Sequence, residues 1–171
     1  MTTQLSPEQS ESNCLARIES LVGEIIQYGG FELKSTVRKC EAAEQGSERG
    51  EVVVDFEGPD SDLLLEKNAA LLDAIEYVVL KAIHVDDDLY GRISFDCNDW
   101  RQVRAEELKL TALMAARQSI ESGSPFHLTP MTSRERRIVH LALKEETAVR
   151  TMSEGSGPSR KVVIYPATSS S

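Results

Sequence analysis

Met131–Leu143 reads MTSRERRIVHLAL. Thr132 followed three residues later by Glu135 has the spacing of a capping box, so the stretch predicts a helix over residues 132–147. At 100° per residue, Ser133, Arg136, Arg137, His140 and Lys144 fall inside one arc of roughly 100°. Ile138, Val139, Leu141, Ala142 and Leu143 take the other side, which lets the helix dock on a core and still present a cationic stripe. A guanidinium offers forked donors to phosphate, and both arginine and histidine can stack on a base. The stripe therefore suits an anionic backbone that carries flat bases. Taken alone such a stripe is usually just a solvated face, so the rest of the chain has to decide.

The 171 residues fit one ordinary domain or two small ones. With 40% hydrophobic and 27% charged residues, a packed core is expected. No apolar run approaches the roughly 20 residues of a membrane span, so no membrane insertion is expected. The polar start MTTQLSPEQSESN lacks the basic lead and apolar stretch of a signal peptide, so a cytoplasmic location is expected. Cys14, Cys40 and Cys97 are isolated and odd in number, as reduced thiols are, and form neither a disulfide set nor a zinc site. His84 with Asp86, Asp87 and Asp88 reads as an exposed acidic turn after a helix, not a metal centre. No metal and no cofactor are expected.

The net charge of −9 hides an uneven distribution. Residues 1–100 hold 8 basic and 21 acidic side chains, a net of −13, whereas residues 101–171 hold 11 and 7, a net of +4. An acidic half joined to a basic half implies two domains with different partners.

Residues 1–12 are polar and aperiodic and are expected to form a disordered tail. From Asn13, Leu15, Ile18, Leu21, Val22, Ile25 and Ile26 recur at helical spacing up to Gly29-Gly30. Phe31, Leu33 and Val37 begin a strand expected to run to about Ala42, the polar stretch Glu44–Gly50 turns the chain, and EVVVDFEG is a second strand. A short helical piece follows at Asp60–Leu65, then a break at Glu66–Ala69 and a helix from Ala70 to about Ile83. RISFDCN supplies a third strand with Ile93, Phe95 and Cys97 on one side. Residues 101–121 are rich in strong helix formers and end at Gly123 and Pro125. FHL is a short strand, and AVRTMS and KVVIY are two more, joined by the turn EGSGPS. The tail ATSSS is too polar to pack, and residues 168–171 are expected to be disordered.

TPMTSRERRIVHLAL and TMSEGSGPSRKVVI resemble the C-terminal Arg-xxx-His (R-3-H) domain of the bacterial Jag family, the SpoIIIJ-associated RNA-binding proteins. LLEKNAALLDAIEYVV and RISFDCNDWRQVRAEELKLTA are similar to the KH domain of the same proteins running into the first helix of the second domain. The resemblance covers about residues 13–166. It implies an α+β protein: a type II KH-like domain (αββααβ) over 13–98, then an R-3-H domain over 99–167, a small antiparallel sheet packed on two helices. It also implies a short form without the N-terminal Jag module.

The function so implied is binding of single-stranded RNA, or single-stranded DNA, in the manner of an RNA chaperone, with a small stand-alone KH protein as partner. Arg136 and His140 would be the pair that names the domain, with Arg134, Arg137 and Lys144 beside them. Arg160 and Lys161 match the family's basic final strand, and Arg101 and Arg104 match basic positions at the start of its long helix. One departure stands out. Where a KH domain carries Gly-x-x-Gly to let the nucleic-acid backbone approach, this chain has Glu66-Lys67-Asn68-Ala69. A carboxylate replaces one glycine and a methyl the other, so this half reads as a KH scaffold, or a holder of a partner protein, with weakened or lost RNA binding.

Three functions compete on these residues. The first is a non-catalytic single-stranded RNA binder, and the second a protein-interaction adaptor whose basic stripe meets an acidic partner. The third is an enzyme using His140 as general base, but no Ser, Cys or carboxylate is placed by sequence to complete a catalytic set. The first is the expectation, with no catalytic residues.

Overall fold

The computed structural model describes residues 7–39, 51–84 and 91–167, and the chain divides into two compact units, residues 1–102 and 103–171. The expected turn at Glu44–Gly50, the acidic Asp86–Asp88 and the tail 168–171 lie outside the described residues.

In the first unit, helix α1 spans Pro7–Gly29 and strands β1 and β2 span Lys34–Lys39 and Val52–Glu57. Helix α2 spans Ser61–Ala82 and strand β3 Ile93–Cys97. The strands lie in the order β1-β2-β3, with β1 antiparallel and β3 parallel to β2; Val37 faces Val54, and Val54 faces Phe95. Ile18 and Val22 of α1, Leu64, Leu72 and Val79 of α2, and Phe56 and Phe95 of the sheet form its core.

α1 opens six residues before the expected Asn13. Pro7 suits a first helical turn, and Glu8, Gln9 and Glu11 favour helix without needing a core to pack on. α2 is broken where the sequence breaks: Glu66 is extended (φ −55°, ψ 149°), and Lys67, Asn68 and Ala69 are left-handed, with φ of 51°, 61° and 58°. The unit thus runs helix, strand, strand, helix, helix, strand. β3 differs from expectation. Besides Ile93, Phe95 and Cys97, the polar Ser94 and Asp96 are buried as well. Asp96 Oδ1 accepts from the amides of Cys97 and Arg101, so this carboxylate ties the strand to the helix that follows. Gly58 is the residue its site demands, because at φ +149° an added Cβ would lie 2.3 Å from the carbonyl oxygen of Glu32.

Helix α3 spans Trp100–Ser122 and enters the second unit at Val103. It is followed there by strand β4 (Phe126–His127), helix α4 (Ser133–Ala142), strand β5 (Val149–Glu154), a 3₁₀ turn at Gly157–Ser159 and strand β6 (Lys161–Pro166). The sheet order is β4-β6-β5, antiparallel throughout. Leu108, Ala112 and Ala116 of α3 and Ile138 and Val139 of α4 pack with Val149, Val162 and Ile164 of the sheet, so two helices share one core with the sheet.

α4 is shorter than expected. Its end tightens into three-residue turns, Lys144 N–H to the Leu141 carbonyl and Glu146 N–H to that of Leu143. Leu143 is buried, and the chain turns there to deliver Val149 to β5. Lys144 therefore stands in the turn beyond the helix, and Leu141, assigned by periodicity to the packed side, is 52% exposed.

Candidate nucleic-acid interface

The N-terminus of α4 is fixed by a complete capping box. The Thr132 hydroxyl accepts from the Glu135 amide at 3.3 Å, and Glu135 Oε2 accepts from the Thr132 amide at 2.8 Å. The other oxygen of Glu135 accepts from Arg104 Nε at 2.9 Å, so one buried carboxylate caps α4 and anchors it to α3. Burial works against the Arg104 charge, but the hydrogen bonds it donates to Glu135 and Glu107 outweigh it and raise the pKa. Arg104 is thereby a brace inside the unit, not an outward-reaching cation.

Arg101 is likewise held. Its side chain is 10% exposed and donates to the Phe95 carbonyl at 2.8 Å, to Asp73 at 2.8 Å and to Glu76 at 3.0 Å. The expectation that Arg101 and Arg104 face nucleic acid meets two guanidiniums already neutralised by carboxylates distant in sequence.

Arg136 and His140 are half-buried on α4. Arg136 Nη1 donates to the Met131 carbonyl at 3.0 Å and Nη2 to Ser133 Oγ at 2.9 Å. The Met131 amide donates to the Arg160 carbonyl at 3.0 Å, so Met131 joins the start of α4 to the foot of β6. Arg136 and Arg160 are thus placed beside one shared backbone link.

His140 Nδ1 lies 2.6 Å from Thr151 Oγ1 and Nε2 lies 3.0 Å from Ser153 Oγ. Thr151 and Ser153 alternate along β5, which presents both hydroxyls to the helix. A hydroxyl can donate or accept, so the pair satisfies either neutral tautomer. Burial, and then the nearby Arg136 charge, push the His140 pKa below its ordinary value. Both polar edges of the ring are engaged by β5; a base could meet only its face.

Three of the predicted site cations remain outward. Arg137, Lys144 and Arg160 are exposed and have no carboxylate partner among the described residues, and Lys161 is half-buried at the start of β6. Arg134 is half-buried beside them on α4. The hairpin adds residues that sequence reasoning passed over. Arg150 lies over the Tyr165 ring, 5.0 Å from its centroid, and the Tyr165 hydroxyl donates to Glu154. That hydrogen bond, foremost, raises the Tyr165 pKa. The signal was available in the strand register, because pairing about the EGSGPS turn sets Arg150 opposite Tyr165.

Among the described residues, no group of His, Cys, Asp and Glu could hold a metal ion, and no helix is long and apolar enough to cross a membrane. Cys97 is fully buried, and burial raises its thiol pKa.

Residues 106–166 match the R-3-H domain family. Its relatives include proteins named RNA-binding protein KhpB. The protein from Clostridium symbiosum is 32% identical over 67% of this chain and 51% of its own length. That from Lactiplantibacillus plantarum is 31% identical over 65% of this chain and 34% of its own. That from Bacillus subtilis (strain 168) is 30% identical over 63% and 52%. The matched part of the chain spans about half or less of the length of these relatives. The second unit thus matches the R-3-H domain over residues 106–166, in a chain similar to proteins named RNA-binding protein KhpB.

Proposed function

We propose that this chain is a non-catalytic binder of single-stranded RNA that grips the phosphate backbone with its second unit. The observation that carries this reading is the set of outward cations on the unit that matches the R-3-H domain: Arg137 and Lys144 around α4 and Arg160 at the hairpin, none with a carboxylate partner among the described residues. The relatives named as RNA-binding proteins support it. Arg136, linked through Met131 to Arg160, donates a further guanidinium at the same edge, with Arg134 and Lys161 flanking. His140 holds α4 to β5 and offers its ring face; Arg104 positions α4 through Glu135. Nothing in this division of labour requires bond-making.

The first unit is read as a KH-like scaffold. Its helix-strand-strand-helix-helix-strand order and the break in α2 support that reading, while Glu66-Lys67-Asn68-Ala69 in place of a glycine cradle argues for holding a protein partner, such as a small stand-alone KH protein. We place the protein in the cytoplasm, where that RNA would be met.

Fluorescence anisotropy with a labelled single-stranded oligoribonucleotide over a salt series tests the proposal. Replacing both Arg137 and Arg160 by Ala should weaken binding of every sequence and flatten the logarithmic salt slope by about 1.4, roughly 0.7 for each phosphate of a single strand no longer engaged. Salt dependence unchanged in that variant would remove these residues from the interface, and no RNA binding by the intact chain at low salt would end the reading altogether.

A further inference from the structure

α3 is apolar on two opposite sides. Ala105, Leu108, Ala112, Ala115, Ala116 and Ser119 are buried against the core of the second unit. On the far side Val103 is 53% exposed, Leu110 62%, Leu113 51%, Met114 74% and Ile120 44%. Scattered surface apolar residues need no explanation, but these are not scattered. Val103, Glu106, Leu110, Leu113, Arg117 and Ile120 follow one another at steps of three, four, three, four and three residues. That spacing is the seam of a two-helix coiled coil, running about 25 Å along the helix.

The order of residues along the seam is self-complementary in one direction only. In an antiparallel pair about a two-fold axis between Thr111 and Ala112, Val103 faces Ile120 of the second copy, Leu110 faces Leu113, and Glu106 faces Arg117. Each pairing then occurs twice, as an isologous interface requires. A parallel pair would instead set Glu106 against Glu106 and Arg117 against Arg117, which like charges disfavour. Arg117 is exposed with no carboxylate partner among the described residues. Glu106 accepts from Lys109 at 2.8 Å, a solvated i,i+3 pair of little energetic weight that leaves the carboxylate free to turn. Charged layers at both ends of a short leucine layer fix register and direction at some cost in affinity.

We propose that this face of α3 pairs with the same face of a second copy, forming an antiparallel homodimer with Leu110 and Leu113 at its centre and Glu106–Arg117 pairs on either side. The cations around α4 and the β5–β6 hairpin are not part of this seam, so dimerisation and RNA binding can be measured separately. One helix pair is a small interface, and dissociation in the micromolar range is expected.

Sedimentation velocity on the full chain, from low micromolar to several hundred micromolar, tests the pairing. The chain should shift from monomer to dimer, and Leu110→Lys, at an exposed position where the monomer should still melt normally, should hold it monomeric. Glu106→Arg and Arg117→Glu should each weaken the dimer by about tenfold or more. An equimolar mixture of these two variants should recover it as a heterodimer, since each then meets its opposite charge, and the double variant should recover it alone. A chain that stays monomeric throughout, including one that instead retains only an unrelated protein, overturns the proposal. So does a dimer indifferent to the charge reversals, or one that the mixture fails to restore.

Discussion

His140 shows how far a residue's role can lie from its sequence context. On the helix it shares an arc with Arg136 and Arg137, and that spacing points to a ring that stacks on a base. Folding brings Thr151 and Ser153 to its two nitrogens instead, from a strand eleven and thirteen residues on. No periodicity within α4 contains that information. His140→Ala should therefore lower stability by about 1–3 kcal/mol, through two missing hydrogen bonds and a partly emptied site. The pH dependence has a definite sign. The folded-state pKa is lowered by burial and then by Arg136, so the unfolded chain binds this proton more readily. The contribution is present above the unfolded value of about 6.5 and is lost as pH falls below it. Thermal melts between about pH 7.5 and 5 should show a steeper fall for the wild type than for His140→Gln, which cannot take up that proton. Equal falls in the two proteins would mean that His140 titrates as an ordinary exposed histidine. Arg101 and Arg104 teach the same lesson, since the carboxylates that hold them, at Asp73, Glu76 and Glu135, lie far away along the chain.

Elements were more legible than side-chain partners, because hydrophobic periodicity and breaking residues act locally. The break in α2, the capping box of α4 and the strands on either side of EGSGPS all stand within a residue or two of where sequence places them. What sequence could not show was the form of the α2 break. Three consecutive non-glycine residues adopt left-handed backbone there, each at a steric cost of roughly 1–2 kcal/mol, less for Asn68 because asparagine visits this region more readily. Glu66 is extended and gains nothing from glycine. Lys67 is exposed, so Lys67→Gly should raise stability by about 1 kcal/mol, the left-handed relief exceeding the glycine's added unfolded-state entropy. Ala69 is buried, so Ala69→Gly trades the same relief against a missing methyl, about 0.8 kcal/mol, and should come out near neutral. Urea denaturation of the two variants measures both; a destabilised Lys67→Gly protein would show that this backbone is not strained. α3 was legible as a helix but not as a two-sided one, since apolar residues on both sides cancel the single-face signal that periodicity reads.

At the scale of the whole molecule, the charge division along the sequence is the feature with the widest consequence. Residues 1–100 carry −13 and residues 101–171 carry +4, and the boundary between the two units falls almost at the same place, after Gln102. The second unit has its own core of residues from α3, α4 and the β4-β6-β5 sheet, so a fragment from Asp99 to Ser171 retains the elements that position Arg137 and Arg160. In the intact chain the acidic unit is covalently joined to the second unit, and repulsion between its charge and RNA decays over about 10 Å at 0.1 M salt and over longer distances at lower salt. The fragment should therefore bind a single-stranded oligoribonucleotide more tightly than the intact chain at low ionic strength. The advantage should shrink as salt is added, because screening removes the long-range repulsion before it removes the close interactions with phosphate. Titrations of both proteins across a salt series, with circular dichroism to show that the fragment is folded, decide the point. A folded fragment that binds no RNA while the intact chain binds well would move the interface to the first unit, and with it the role assigned to α4 and the hairpin.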